Sequence, residues 1–581
     1  MSITGFLQPR SNAQQLVESR AGLPVIFESL DAYVGSVKTK IDSGHLNIAG
    51  NPIVKPANPF AMLGSARSLQ CNGSATLPTA KDILALASRP TVYAWVPEKL
   101  FPGVAMKCPA CQSTVTSARW ARDKTLHGFS AHQLYLTKEY ACYKCVARPR
   151  LEHAGSLEDI CFDGKRKQKR FQADASGALA LLPEHVQASW KFVQTGRILC
   201  EAGVVDLVRA LATRTSWSAI ADTINELKEM AWARDVASTF ATLCAYFHVC
   251  PAADSCSFPF QNKLSADWVR NVYVADAQKR RISVQQELSE ERGDDILALD
   301  WTVDAASRCN ANFLFNAMDG RRHILMSSLT QTSSPYEMKP LLIALGQRGV
   351  APKVVYVDCE CCGAWRSIVK DIWPTAVVRL DAMHAIRRLT KTVSSAQHPL
   401  HGRFCAALSN AIYTHSAEAT ARYSEACRRE VKSGALPCRA KNKYVPRVIV
   451  DAPRIARAIE SVLATFQDAR SSADPLVTQS TMDAWRDLQP HVVAGCLCDP
   501  PGVQLHEYGE SVVFGGKRFK SIRTIRGASA LEGFHTHQKQ WLGCLARHAA
   551  DAGVALLADG AVRWNRKRRR QREDELVAAE A

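Results

Sequence analysis

The sequence predicts an α/β protein whose centre is a mixed five-stranded sheet in the order βββ-α-β-α-β. Three observations carry this. First, three apolar runs each close on an acid: Ile296-Leu-Ala-Leu-Asp300, Val354-Val-Tyr-Val-Asp358 and Val377-Val-Arg-Leu-Asp381. An apolar run of four or five residues closed by a polar one reads as a strand buried on both faces. The acid then stands where the sheet stops and a site can open. Second, Asp319-Gly320 separates the apolar runs 312–318 and 323–329. Asp-Gly tolerates the positive φ of a tight hairpin, so the first three strands form an antiparallel meander. Third, the last three runs are spaced by two helical segments. Pro335–Gly346 has a proline near its start, with Pro340 disturbing the second turn, and Trp365–Trp373 is the other.

The remaining elements follow in chain order. The 581 residues carry a net charge of +18 and are 47% apolar, enough for several domains and a sizeable core. Such a basic chain points to a polyanionic partner, nucleic acid first. The start, Met1-Ser-Ile-Thr-Gly-Phe-Leu-Gln-Pro, lacks the charged and apolar regions of a signal peptide. No apolar run approaches the roughly 18 residues of a membrane helix, so no membrane partner is expected. The twenty cysteines are therefore expected to be reduced thiols, some of them metal ligands. No repeat of solenoid period is present. Residues 1–84 read as a poorly ordered leader with at most one short helix.

Residues 85–165 carry Cys108-Pro-Ala-Cys111 and Cys142-Tyr-Lys-Cys145. Two CxxC pairs let two tight knuckles converge on one tetrahedral Zn²⁺, the layout of a zinc ribbon. Tyr135–Cys142 reads as the strand entering the second knuckle. The loop between the pairs exceeds the roughly 15–20 residues usual for the pattern, and four unrelated buried cysteines are the alternative. His127, His132 and His153 read as surface groups and Cys161 as a packing residue. The basic run Lys165, Arg166, Lys167, Lys169 and Arg170 is either a solvated linker or a phosphate-contacting strip.

Residues 166–285 read as helical, with pieces at 190–201, at 204–212, at 215–227 and at 232–247. The third and fourth suggest either a helix-turn-helix or a plain helical linker. Residues 286–399 form the first part of the core, ending in a helix with Arg387 and Arg388. Residues 400–525 read as a helical insertion, with helices at 404–412, 418–431, 453–466 and 482–488. In 526–560, Glu532 opens an amphipathic helix, where Ser529 and Glu532 also fit a capping box. The final segment, 561–581, holds Arg566, Lys567, Arg568, Arg569 and Arg570. It reads as a nuclear-localisation or DNA-backbone strip, or simply a solvated end.

The order of these acids resembles the DDE transposases of the ribonuclease H-like superfamily. The matching pattern is Asp300, Asp358, Asp381-x-x-His384, then Glu532 after a helical insertion. It is similar to the group with a C/DxxH signature, which includes the Mutator-like, hAT, Kolobok and Kyakuja-Dileera-Zisupton transposases. The resemblance covers roughly residues 85–550. It implies cut-and-paste DNA transposition: phosphodiester hydrolysis, then strand transfer, with two Mg²⁺ or Mn²⁺ ions held by Asp300, Asp358 and Glu532. Asp381 and His384 would contribute beside them. Alternatively, Asp381 caps the next helix and His384 packs beneath it. Double-stranded DNA (transposon ends and target), a homo-oligomer and the nucleus, if the source is eukaryotic, follow as expected partners and location. A domesticated transposase acting as a DNA-binding scaffold is the runner-up. A zinc-ribbon protein serving RNA explains the cysteines but not the acids. A 3′–5′ exonuclease would want an acid two residues after Asp300, where this chain has Thr302.

Overall fold

The computed structural model describes residues 30–54, 91–116, 118–129, 133–146, 168–195, 198–247, 263–432, 441–467, 470–471, 474–543 and 550–580. These fall into two compact units, Met1–Ala212 with Ser216–Asp276, and Thr213–Thr215 with Ala277–Ala581. The protein is mixed α/β in both. Lys165, Arg166, Lys167, His132, His153 and Cys161 lie outside the described residues.

The first unit begins with helix α1 (Leu30–Asp42) and strand β1 (Ile53–Val54). β2 (Thr91–Trp95) and a short α2 (Pro97–Leu100) follow. Then come β3 (Ala118–Trp120), β4 (Lys124–His127), β5 (Gln133–Val146) and β6 (Gln168–Gln172). Two further short helices, α3 (Ser176–Leu179) and α4 (Glu184–Ser189), precede the pair β7 (Phe192–Thr195) and β8 (Ile198–Glu201). The strands build one eight-stranded sheet, ordered β1-β2-β5-β4-β8-β7, with β3 and β6 also paired to β5.

Three expectations are corrected in this unit. Residues 30–54 are not a poorly ordered leader: Tyr33, Val34, Val37 and Ile41 bury one face of α1 in the same core as Trp95, Tyr135 and Tyr140. The segment 190–201 is a β-hairpin rather than a helix, because β8 finds a parallel partner in β4 and buries Leu199 and Cys200 there. Beyond α5 (Ala202–Leu211), residues 217–247 are one helix, α6 (Trp217–Phe247), started by the Ser216 hydroxyl accepting from Ala219 N. No turn interrupts it, so a helix-turn-helix is not formed there. Helix α7 (Ala266–Glu290) follows and runs through the division between the units.

The second unit contains β9 (Ile296–Thr302), β10 (Phe313–Asp319), β11 (Ile324–Thr330), α8 (Pro335–Gln347), β12 (Val354–Val357), α9 (Ala364–Ile372), β13 (Val377–Leu380) and α10 (Ala382–Thr390). The sheet order is β11-β10-β9-β12-β13. The first three strands are antiparallel, and β12 runs parallel to both β9 and β13. β9 and β12 are central and covered on both faces, which is why they are unbroken apolar runs. Leu297, Leu299, Val355 and Val357 face a core that includes Trp365 and Trp373.

The insertion comprises α11 (His401–Ile412), β14 (Thr414–His415), α12 (Ala417–Lys432), α13 (Lys441–Tyr444), β15 (Arg447–Val448) and α14 (Ala452–Gln467). It continues through β16 (Arg470–Ser471), β17 (Asp474–Pro475), α15 (Gln479–Val493) and the hairpin β18 (His506–Phe514) and β19 (Lys517–Thr524). It is not a separately cored module: Phe404, Ile455, Ile459 and Trp485 share one cluster with the sheet residues. The hairpin adds strand structure to a segment read as helical. Its turn, Gly515-Gly516, has φ of 55° and 69°, the two left-handed residues of a two-residue turn.

Helices α16 (Ser529–Gly543) and α17 (Ala550–Glu580) close the unit. The basic residues 566–570 are therefore not a tail. They lie on a helix whose Leu556, Leu557, Ala561 and Val562 are buried. Asn565 of that helix accepts from Ile324 N at 2.8 Å and donates to Ile324 O at 2.9 Å, completing the edge of β11 as a neighbouring strand would.

Candidate metal and catalytic sites

Asp300 sits on β9, 3% exposed, opposite Asn316 on β10. Asn316 exchanges two hydrogen bonds with Gln538 of α16, at 3.0 and 2.8 Å, and accepts from Ser327 Oγ at 2.6 Å. This buried amide pair fastens α16 across the sheet, one turn and a half beyond Glu532. Asp300, His384 and Glu532 accordingly present ligand atoms within 4.8 Å of one another. His384 Nε2 is 4.0 Å from Asp300 Oδ2 and 3.5 Å from Glu532 Oε1. These three residues are far apart in sequence, so only the fold unites them.

Asp381 caps the next helix, as the second of its two readings expects. Its Oδ1 caps α10, accepting from His384 N at 2.9 Å, and also meets His384 Nδ1 at 3.1 Å. Oδ2 accepts from Ala528 N at 2.7 Å, immediately before α16. One carboxylate therefore orients the imidazole, with Nδ1 toward Asp381 and Nε2 toward Asp300 and Glu532, and seats the start of the helix that carries Glu532. Gly527 makes this approach possible. Its φ is +79°, and a Cβ there would lie 2.2 Å from Asp381 Oδ2.

The capping box is not formed. α16 begins at Ser529, which places Glu532 at its fourth position, and the Glu532 carboxylate instead pairs with Arg387. Arg388 Nη2 donates to the carbonyl of Asp358 at 2.5 Å. Asp358 follows β12, and its Oδ1 is buried without a hydrogen-bond partner. It is not within the 4.8 Å group, yet its charge acts on both Asp300 and His384.

The electrostatics follow from this crowding. Burial pushes the Asp300 carboxyl up to about 7; the His384 charge opposes this, and the Asp358 and Glu532 charges add to it. Burial works to lower the His384 imidazole. The Asp381 hydrogen bond and the charges of Asp300, Asp381 and Asp358 outweigh it and hold the group above its usual value. Burial likewise works to raise Asp381, but hydrogen bonds from His384 and Ala528 hold it below the usual carboxylate range. His535, absent from the sequence reading as a site residue, lies with Nδ1 3.9 Å from Asp300 Oδ2. Burial brings it down to about 4, so it is neutral near pH 7. The spacing Glu532-x-x-His535, one turn of helix apart, was the available signal. Asp304 pairs with exposed Lys539, and Asp319 with His323, so neither joins the cluster.

In the other unit, Cys108, Cys111, Cys142 and Cys145 also place their sulfurs within 4.8 Å of one another. The first pair sits in a turn where Gln112 (φ +57°) donates to Cys108 O at 2.8 Å. The second pair lies in β5, where residues three apart would normally face opposite sides. A break in the β5–β6 register between Cys142 and Val146 removes that conflict. The sulfur pairs Cys108–Cys145 and Cys111–Cys142 are 3.8 and 3.6 Å apart. A zinc tetrahedron with bonds of about 2.3 Å has edges of about 3.8 Å, so the set fits zinc. Hydrogen bonds from Ser113 and Cys145 draw the Cys111 thiol down to about 6, whereas Cys145, facing Cys111, is pushed up. The knuckles do not form a free-standing ribbon, since β5 lies inside the eight-stranded sheet. His127 is buried rather than on the surface, 2.8 Å from Lys228, and is not in the cluster.

The expected nucleic-acid contacts are dispersed. Arg170 is exposed on β6 beside Glu139, and the side chain of Lys169 lies outside the described residues. Arg566 and Arg569 pair with Glu287, and Arg568 stacks on Trp564 at 4.3 Å. Lys567 and Arg570 are exposed. Among the described residues no helix is long and apolar enough to cross a membrane. No protein-family model matches the chain, and no curated protein matches it.

Proposed function

We propose that this chain is a DNA transposase, or a protein derived from one, that cuts and joins phosphodiesters at Asp300, Asp358 and Glu532 on a ribonuclease H-like core. The observation that carries the reading is the convergence of Asp300, His384 and Glu532 beside β9. The strand order β11-β10-β9-β12-β13 supports it, with Asp300 within β9 and Asp358 directly after β12. The donor set suits hard divalent cations, which prefer carboxylate oxygens. The orphaned Oδ1 of Asp358 is a further oxygen available to them. When bound, two such ions would activate the attacking oxygen and stabilise the leaving one.

The chain's own residues then have distinct tasks. Asp300, Asp358 and Glu532 would hold the ions. His384, held by Asp381, presents Nε2 to the same space and can orient a phosphate oxygen or hold a proton there. His535 packs against Asp300. Arg387 and Arg388 put positive charge beside Glu532 and Asp358, where a DNA phosphate would arrive. The Cys108, Cys111, Cys142 and Cys145 centre would hold Zn²⁺ as a structural ion, and the basic surface would bind DNA as a homo-oligomer in the nucleus.

The test is nicking of supercoiled duplex DNA by the full chain with Mn²⁺ or Mg²⁺. Cleavage is expected, lost in Asp300→Asn and Glu532→Gln with DNA binding retained. Binding without cleavage under all metals would leave the scaffold reading. Cleavage that survives in Asp300→Asn would overturn the mechanism.

A further inference from the structure

A second cluster of soft ligands lies on the catalytic unit, remote in sequence from the paired CxxC knuckles. Cys361, Cys362, His491 and Cys496 bring their ligand atoms within 4.8 Å of one another. Cys361 Sγ is 3.2 Å from His491 Nδ1, Cys362 Sγ is 3.1 Å from Cys496 Sγ, and the vicinal sulfurs are 3.9 Å apart. The vicinal sulfurs match the roughly 3.8 Å expected between thiolates on one zinc ion, and the other two edges are shorter, a tight but convergent set. They are far from the approximately 2.05 Å of a disulfide.

Each half of the cluster is built by a defined local device. Cys361 and Cys362 occupy the turn that follows Asp358: Glu360 has φ +50°, and Gly363 N donates to Glu360 O at 3.0 Å before α9 begins. The positive end of α9 favours thiolates there. His491 lies in the last turn of α15. Beyond it, Gly495 (φ +75°) donates to Val492 O at 3.0 Å and Cys496 donates to His491 O at 3.0 Å. This pair of bonds is a Schellman motif, which folds Cys496 back over His491. Cys496 O in turn accepts from Leu380 N at 2.9 Å at the end of β13. Both halves are thus seated on the sheet independently of each other, and they meet with three thiols and one imidazole.

We propose that Cys361, Cys362, His491 and Cys496 bind one structural zinc ion, which clamps the turn after Asp358 to the end of α15 in the insertion. Cys₃His is a closed ligand set with no position left for a substrate, so this ion is structural rather than catalytic. The site links the insertion to the strand end that carries the second acid and restrains the position of that turn. The inference concerns metal binding alone and does not depend on the nuclease reading.

The experiment is metal analysis of the full chain by plasma mass spectrometry, with thiol alkylation in parallel. Wild type is expected to hold two zinc ions. Cys362→Ser, at an exposed position, and His491→Ala should each hold one, as should Cys108→Ser/Cys111→Ser, and combining the two sets should leave none. His491→Cys should retain both ions. Should a cluster variant fail to fold, wild type still decides. Cys361, Cys362 and Cys496 should resist iodoacetamide until zinc is chelated, then react fully without reductant. A wild-type count of one that Cys108→Ser/Cys111→Ser reduces to zero would overturn the proposal. So would a Cys362–Cys496 disulfide in the unreduced peptides, or immediate alkylation of all three cysteines in the zinc-loaded protein.

Discussion

Asp300→Asn should stabilise the second unit when no Mg²⁺ or Mn²⁺ is present, and the gain should grow with pH. Asp300 is buried, and its carboxyl is raised from 3.8 to about 7 in the folded protein. Between these values the folded state holds a proton that the unfolded chain has released. The stability associated with Asp300 is therefore fully present below about pH 4 and is lost as pH rises through about 7. A difference of about three units at ~1.4 kcal/mol each is worth about 4 kcal/mol. That is an upper bound, since Asn resembles the protonated acid but must also place an NH₂ group. The assay is urea unfolding of wild type and Asp300→Asn, followed by tryptophan fluorescence, from pH 4 to 8. No chelator is added, because it would also strip any zinc held by the cysteine clusters. The variants should be close at pH 4 and separate in favour of Asn toward pH 8. Mn²⁺ should narrow the gap by stabilising wild type alone through mass action. A gap independent of pH, or one that favours wild type at pH 8 without added metal, would refute the account of Asp300 as a buried, crowded carboxylate.

Three further outcomes follow from particular contacts. Cys142→Ser should lower the zinc content by one ion per chain, measured by elemental analysis; an unchanged count would exclude the four-cysteine centre. Gly527→Ala places a methyl against Asp381 Oδ2 at a φ of +79°. It should destabilise the unit by roughly 1–3 kcal/mol in denaturant titrations and displace α16, lowering cleavage more than DNA binding. Replacing the exposed Lys567, Arg570 and Arg572 with Glu should weaken duplex binding and reduce the salt slope by about one for each phosphate contact removed. Truncation before residue 561 is the wrong experiment for this question, because it removes buried Ala561, Val562 and Asn565 along with the charges.

How readable each part was from sequence depended on whether its burial pattern was local. β9, β12 and β13 were readable because each is an apolar run closed by an acid, and the central strands are covered on both sides. The β10–β11 hairpin forms where Asp319-Gly320 marked it, but the left-handed residue of its turn is Arg322 (φ +71°) rather than either of that pair. The hairpin β18–β19 also carried a turn signal in Gly515-Gly516. Its residues are mostly exposed, however, so no apolar alternation surrounded that turn. The segment 190–201 was ambiguous for a different reason. Short apolar runs fit either helix or strand, and the deciding partner, β4, lies well upstream. Helix α1 did show Tyr33, Val34, Val37 and Ile41 at helical spacing, within surroundings rich in glycine and asparagine that masked it. The Cys361, Cys362, His491 and Cys496 cluster left only partial traces, Cys359-Glu-Cys361-Cys362 and Cys496-Leu-Cys498, and its halves are more than a hundred residues apart, so no local spacing joined them.

Position, more than residue type, separates Glu532 and Asp381 from ordinary capping acids. Asp381 does cap a helix, and that role by itself would need only one oxygen and one backbone N–H. Here Oδ1 serves two atoms of His384 while Oδ2 serves Ala528, so moving this carboxylate would displace both the imidazole and the start of α16. Glu532 then reaches the site only because α16 is fixed at two points, Ala528 at its start and Gln538 on Asn316 further along. Asn316 faces Asp300 across the β9–β10 ladder, so the second anchor is set against the same strand position as the acid it must serve. A structural ion-pair cluster would want Glu532 matched to a cation and insulated from other acids. Instead its carboxylate lies with Arg387 on one side and with His384 and the buried Asp300 on the other. This gathering of Asp300 and Glu532 around His384 suits, on the proposed reading, a site that exchanges cations. On the proposed reading, Arg387 holds Glu532 until metal and phosphate arrive to share it.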